Sequence, residues 1–282
     1  MREPVSDINT VKLSGRLQAV AGMVTEGNIV CDVGCDHGFV SIYLIQQGIS
    51  PKVIAMDVNK GPLQAAGEHV GEYGLAGYIE TRLSNGVEAL AAGEADALIC
   101  AGMGGRLVRR ILEEGKDKIR AMKECVLQPQ SEIQMVREYL RKEGYRIADE
   151  DMVLEEGKYY PVIKALPPAA GQEQRTDCRK EKQEWDRGNR EESRRQRIED
   201  RYGPVLLEKK SSVLEAYLRR EHNLYIQIME KLCANGKEKE ERQKEIADRI
   251  KDIETALSVY DSPKAADWEK THLCRSVTNK PK

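Results

Sequence analysis

Between Val30 and Gln130 the chain repeats one pattern. Short apolar runs, "VCDVG", "VIAMD", "ALICAGMGG" and "VLQPQ", stop at Asp, Gly or Gln, and helical stretches lie among them. Strands that alternate with helices build a parallel sheet covered on both faces. Residues 12–25 read as a short helix ahead of the first strand, with Leu13, Leu17, Val20 and Val24 on one face. "FVSIYLIQQG", "GPLQAAGEHVGEYG", "RLVRRILEEG" and "SEIQMVREYLRKEG" predict the following helices, and "YIETRLSNG" a third strand. "YRIADEDMVLEEGKYYPVIKAL" predicts two strands joined at Glu156-Gly157, a hairpin that finishes the sheet. The fold class expected is α/β, a Rossmann-like sheet, over residues 1–166.

The pattern then changes. From Pro167-Pro168 to Arg201 the chain is rich in Arg, Glu, Gln and Asp and nearly free of apolar residues. Residues 167–201 therefore read as a solvated linker or frayed charged helix. Over 202–262 helical spacing returns. Leu214, Tyr217, Leu218, Tyr225, Ile228 and Leu232 form one stripe, and Ile246, Ile250, Ile253, Leu257 and Tyr260 another. With Asn235-Gly236 between them, they predict an antiparallel coiled-coil hairpin, the alternative being two helices packed on the first domain. Residues 263–282 read as a disordered tail.

Composition narrows the class. Net charge is −5 through Ala165 and +3 beyond it, so basic side chains gather in the C-terminal half. This leaves room for a local basic face on RNA but argues against a chain built wholly around nucleic acid. No apolar run approaches the roughly 20 residues of a membrane span, and no N-terminal segment reads as a secretion signal. Seven scattered cysteines then imply reduced thiols in the cytoplasm. They lack the paired spacing of a zinc site, so no metal is expected.

The chemistry starts at "CDVGCDHG", Cys31 to Gly38. A strand ending in Asp32, a loop with Gly34 and Gly38, and a following helix open a nucleotide-type unit, in which glycine permits positive φ and close backbone approach. A dinucleotide site wants G-x-G-x-x-G; this loop is one residue shorter and puts Asp36 where the middle Gly would sit. S-adenosylmethionine carries a sulfonium and a zwitterionic amino acid and no phosphate, so acidic loop residues suit it. Asp57 ends the second strand, where an acid takes the ribose hydroxyls of an adenosine-bearing cofactor. "LSNG", Leu83 to Gly86, stands where the adenine would be gripped. "AGMGG", Ala101 to Gly105, closes the fourth strand; it leaves room for a base edge, or is simply a tight strand-to-helix turn.

In order along the chain stand "LSGRLQAVAGMV", "CDVGCDHG", "IAMDVNKGPL", "RLSNG", "ICAGMGGRLVRRIL", "VLQPQ", "LRKEGYRI" and "EEGKYYPVI". Together they closely resemble the bacterial tRNA adenine-22 N1-methyltransferases, the TrmK type, over roughly residues 12–165. "YGPVLL", Tyr202 to Leu207, and the helical hairpin resemble them more loosely. The resemblance implies a class I S-adenosylmethionine domain, a coiled-coil domain, and methyl transfer to N1 of an adenine in the D-loop region of tRNA. Three features depart from it. Gly38-Phe39-Val40-Ser41 stand where the family usually has a small residue followed by Leu-Pro. Gln130 stands where "QPN" is commoner, and residues 167–201 look inserted.

The expected cofactor set is Asp32, Gly34, Cys35, Asp36, Gly38, Asp57, Val58, Ser84, Asn85, Gly86, Ala101, Gly102 and Met103. Asp36 and His37 are placed at the pocket mouth, either as catalytic groups or as the cofactor's wall. Gly104, Gly105, Gln128, Gln130, Tyr159 (or Tyr160), Arg16 and Arg106 are expected to face the substrate, with Arg109, Arg110, Arg219, Arg220 and Lys231 as further contacts to RNA. Three rival readings differ in what they predict: another methyl acceptor, a non-catalytic cofactor- or RNA-binding module, and a nicotinamide dehydrogenase.

Overall fold

The computed structural model describes residues 10–168, 187–234 and 240–261. They form two compact units, one through Leu214 and one from Glu215 onward.

The first unit is built on a seven-stranded sheet. In chain order its elements are α1 (Gly15–Gly22), β1 (Val30–Val33), α2 (Phe39–Gln46), β2 (Val53–Asp57), α3 (Lys60–Glu72), β3 (Ile79–Leu83), β4 (Ala97–Met103), α4 (Gly105–Glu114), α5 (Lys116–Ile119), β5 (Glu124–Pro129), α6 (Ile133–Lys142), β6 (Arg146–Glu155) and β7 (Lys158–Leu166). The strand order is β3-β2-β1-β4-β5-β7-β6. The first five strands run parallel, while β7 is antiparallel to both β5 and β6. The order reverses direction at β1, so the crevice outside the carboxyl ends of β1 and β4 is where a doubly wound sheet takes its ligand.

The sequence explains the layering. β1, β2 and β5 are buried along their whole length, as strands covered on both faces must be. Alternation of side chains then splits the core. Cys31, Val33, Ile54 and Met56 join the cluster under α4 and α6, and Val30, Val53, Ala55 and Ile99 the one under α1, α2 and α3. The β6–β7 hairpin turns at Glu156 and Gly157, both with positive φ, as a two-residue turn requires.

The charged stretch departs from the linker expectation. Residues 169–186 lie outside the described residues, but Arg187–Tyr202 form helix α7, followed by α8 (Pro204–Glu208). α7 packs on α6 through buried Ile198 and Tyr202. Polar contacts do the rest. Arg141 pairs with Asp200 at 2.9 Å and Arg201 donates to Gln134. Under the corner lies a fully buried pair, Arg137 to Glu150 at 2.7 Å. Arg137 also donates to the carbonyls of Asp200 and Arg201, and Glu150 accepts from the N–H groups of Val205 and Leu206. "YGPVLL" therefore belongs to the first unit. With only two apolar anchors, a docked helix of this kind carries almost no hydrophobic signature.

In the second unit α9 (Ser212–Ala234, largely within it) pairs antiparallel with α10 (Glu240–Asp261). Glu221 meets Arg249 at 3.5 Å, His222 meets Glu254 at 3.4 Å, and Arg249 lies over the Tyr225 ring. Leu218, Ile246 and Ile253 from the expected stripes are buried. The turn at Asn235-Gly236 and the tail at 263–282 lie outside the described residues.

Candidate active site

The crevice is assembled from strand ends. After β1 the chain makes a tight loop in which Gly34, Asp36 and Gly38 all have positive φ. At Gly34 a side chain would be strained by the positive φ, and a Cβ would stand 2.9 Å from the terminal methyl of Met103 on β4, which would have to shift. The Gly34 and Cys35 N–H groups both donate to the Met56 carbonyl, which clips the loop to the end of β2. Gly38 caps α2 and passes under α3, where a Cβ would lie 3.1 Å from Ala66.

Two carboxylates flank this loop. Asp57 accepts from the Asn59 N–H at 2.8 Å and the Asp36 N–H at 3.3 Å, one to each oxygen. It is buried, yet its neighbours Val58 and Leu83 are among the most exposed apolar side chains, at 60% and 48%. An ionised group between two open apolar surfaces suits a ribose with an aromatic ring beside it. Leu83, paired with Asp57 across β2 and β3, opens the "LSNG" stretch that the sequence sets beside the adenine. Asp32 is buried beneath the loop and accepts a 2.7 Å hydrogen bond from Ser41 of α2.

Other expected cofactor residues serve the loops. Ser84 is buried and braces its turn, donating to the Gly86 carbonyl and accepting from the Ala89 N–H. Asn85 is exposed and donates to Glu88. With Gly86 it also borders a separate pocket of about 270 Å³ closed by Val87, Ile111 and Lys118. The Cys35 side chain is core, and burial pushes its thiol up, so only its backbone is available to a ligand. The same holds for the thiols of Cys31, Cys100 and Cys125, which excludes them as nucleophiles.

Several of the residues expected to face the substrate lie across the crevice. β4 bulges at Gly102, which is exposed with positive φ. Bulges of this kind sit next to active sites, where they re-aim the backbone. Gln128 of β5 is fully buried beneath it, and its Oε1 accepts from the Gly102 N–H at 3.0 Å. Gln128 Nε2 has no partner among the described residues. Arg16 of α1 reaches in over the Tyr160 ring, with Glu155 at 3.7 Å and Gln128 Oε1 at 3.5 Å. Arg16 and Gln130 both come within 4 Å of the space above Gly102. Tyr160 rather than Tyr159 thus shares this face, because adjacent strand residues point to opposite sides.

One expected substrate residue is a packing position. Gly105 is buried, and a Cβ there would meet the Ser131 carbonyl at 2.4 Å, so it is a packing glycine with no open face for a base. Arg106 points to solvent and pairs with Glu132 at 3.0 Å. His37 is half exposed, 3.7 Å from Asp36, and its ring faces those of Phe39 and His69. No cluster of three or more His, Cys, Asp or Glu suited to a metal occurs among the described residues, and none of their helices is long and apolar enough to cross a membrane.

A sheet of this order, five parallel strands finished by an antiparallel β6–β7 hairpin, with an acid at the end of β2 and a glycine loop after β1, fits a methyltransferase domain. A family model for the methyltransferase domain matches residues 13–163, and the chain belongs to that family. Within it the chain is a member of the tRNA (adenine-22-N1)-methyltransferases, the TrmK type. The Bacillus subtilis tRNA (adenine(22)-N(1))-methyltransferase is 39% identical over 158 residues, 56% of this chain and 66% of that protein. The crystal structure of B. subtilis TrmK superposes with a TM-score of 0.70 at 31% identity, covering 88% of this chain and 99% of that one. A Streptococcus pneumoniae protein solved in complex with S-adenosyl-L-methionine superposes with a TM-score of 0.69 at 28% identity, covering 87% of this chain and all of the other.

Proposed function

We propose that this chain transfers a methyl group from S-adenosylmethionine to N1 of adenine 22 in tRNA. The observation that carries the reading is the crevice itself. The Asp32–Gly38 loop and Asp57 form one wall, and the exposed Gly102 bulge over Gln128 forms the other.

The residues present fit the cofactor. Asp57, fixed by two backbone N–H groups, is placed for a pair of ribose hydroxyls. Val58 and Leu83 offer apolar surface for adenine, and buried Asp32 offers negative charge for an ammonium group. Bound there, S-adenosylmethionine supplies an electrophilic methyl on a sulfonium. The protein's own task is positioning. N1 of adenine carries an in-plane lone pair, so no residue has to remove a proton before attack. The chain must hold the base in line and keep water out. The Gly102 bulge gives a base edge close access to the backbone, and Gln128 keeps that peptide from turning. Arg16, held over Tyr160, supplies positive charge beside it. In paired RNA N1 faces its partner, so the adenine must be unpaired or flipped to enter.

The test is in vitro methylation of total tRNA followed by position mapping. N1-methyladenine at position 22, lost when that adenine is replaced by guanine, is the expected result. Methyl incorporation at another adenine or into a small molecule would transfer the reading to a different acceptor. Binding of S-adenosylmethionine without any transfer would make the chain a sensor.

A further inference from the structure

Asp32 is a buried carboxylate with an unusual set of neighbours. It is 4% exposed, and among the described residues its hydrogen-bond partner is the Ser41 hydroxyl on Oδ2. Asp57 at the end of β2 repels it. The other titratable groups within its field are the thiols of Cys31 on β1, Cys35 in the loop and Cys100 on β4, all neutral because burial raises them. Among the described residues no cation acts on it. An ionised group buried without a counter-charge is costly and normally neutralises or finds a partner. Here the side that no protein cation fills adjoins the glycine loop, where a ligand's own positive group can supply the charge.

We propose that Ser41 is a positioning residue for the cofactor: it holds the Asp32 carboxylate ionised and oriented, leaving Oδ1 to receive the ammonium of the cofactor's amino-acid end. This rests on the S-adenosylmethionine reading given above and adds the group on α2 that makes Asp32 usable. The direction of the pH effect follows. Asp32 is pushed up to about 6, the net of burial, the largest influence, which raises it, the Ser41 hydrogen bond, which lowers it, and Asp57, which raises it. The ionised form is therefore lost as pH falls through about 6. Without the hydroxyl the carboxyl takes its proton at higher pH, and cofactor affinity fails earlier.

The experiment is calorimetric titration of the purified full chain at pH 5.5, 6.5 and 7.5. Over that range an α-amino group, which titrates near about 7.7–8.0, is fully charged at the two lower values and still mostly charged at pH 7.5. The two probes are S-adenosylmethionine and 5′-methylthioadenosine, which lacks the amino-acid end. Ser41→Ala is expected to weaken S-adenosylmethionine about tenfold at pH 6.5, the scale of one hydrogen bond to a charged acceptor, with a smaller gap at pH 7.5. Methylthioadenosine affinity should stay within about twofold throughout, Ser41→Thr should restore binding, and Asp32→Asn should bind weakly with no pH dependence. Wild-type affinity in Ser41→Ala at pH 6.5 would overturn the proposal. So would equal weakening of both ligands, which would make Ser41 a brace for the loop alone. Neither readout involves tRNA. A wild-type chain that methylates adenine 22 while Ser41→Ala binds normally sinks this inference and spares the function; a chain that binds no S-adenosylmethionine sinks both.

Discussion

The two walls of the crevice are built differently. On the cofactor side, backbone N–H groups fix the loop and Asp57 at 2.8–3.3 Å, and three positive-φ positions lock its path. On the other wall, side chains do the holding: Gln128 Oε1 accepts from the Gly102 N–H at 3.0 Å, Arg16 is 3.5 Å from Gln128 and 3.7 Å from Glu155, and the Gln128 amide nitrogen has no acceptor among the described residues. The lesson is a division of labour. On the proposed function, a small cofactor of fixed shape would meet a preformed cradle, and a large RNA substrate would meet side chains with room to re-pair. A buried donor without a partner is a group that calls for an explanation, and an arriving base offers acceptors.

The largest effect is expected outside both walls, at the buried corner that docks α7 and α8. Arg137 is buried on α6 beside Val136, which packs against Gly105 at the start of α4. Arg137→Ala leaves Glu150 buried and unpaired and should cost about 3–5 kcal/mol in urea unfolding; replacing both partners with methionine should cost much less. Next in size, Asp57→Ala should weaken S-adenosylmethionine about 100-fold by calorimetry and leave tRNA affinity nearly unchanged, since it strands two backbone donors on the cofactor wall alone. Equal losses for both ligands would erase the distinction between the walls. Gly105→Ala should lower stability by about 1–3 kcal/mol through overpacking against Ser131, seen as a lower Tm, without a selective effect on tRNA. The smallest and most selective change is expected from Arg16→Ala: KM for tRNA should rise on the order of tenfold, while S-adenosylmethionine affinity stays within about twofold. A matching fall in cofactor affinity would place Arg16 on the wrong wall.

Much of this was legible before any coordinates. The apolar runs gave each central strand, because a strand buried on both faces must be apolar throughout. Gly34, Gly38 and Asp57 were identifiable from their places at strand ends, where backbone geometry and cofactor chemistry restrict the choice of residue. The docked helix α7 was not, since it is held mainly by charged and polar contacts that read as solvated surface. Arg16, Gln128 and Tyr159 (or Tyr160) were expected on one face, but their contacts with one another and with Gly102, which join α1, β7, β5 and β4, were not legible.

The sequence by itself determined the order and kind of the elements, the glycine loop, and the acid that ends β2. These are local properties: periodicity, turn chemistry and a residue's place at a strand end act within a few positions of one another. Tertiary structure decided which side chains meet. Ser41 finds Asp32 because α2 folds back over β1, Arg137 finds Glu150 because α6 crosses β6, and Arg16 finds Gln128 across 112 positions because α1 lies over the end of β5. Such pairings leave no local mark, since each partner alone is an ordinary polar residue and only the packed sheet removes the water that would otherwise satisfy it.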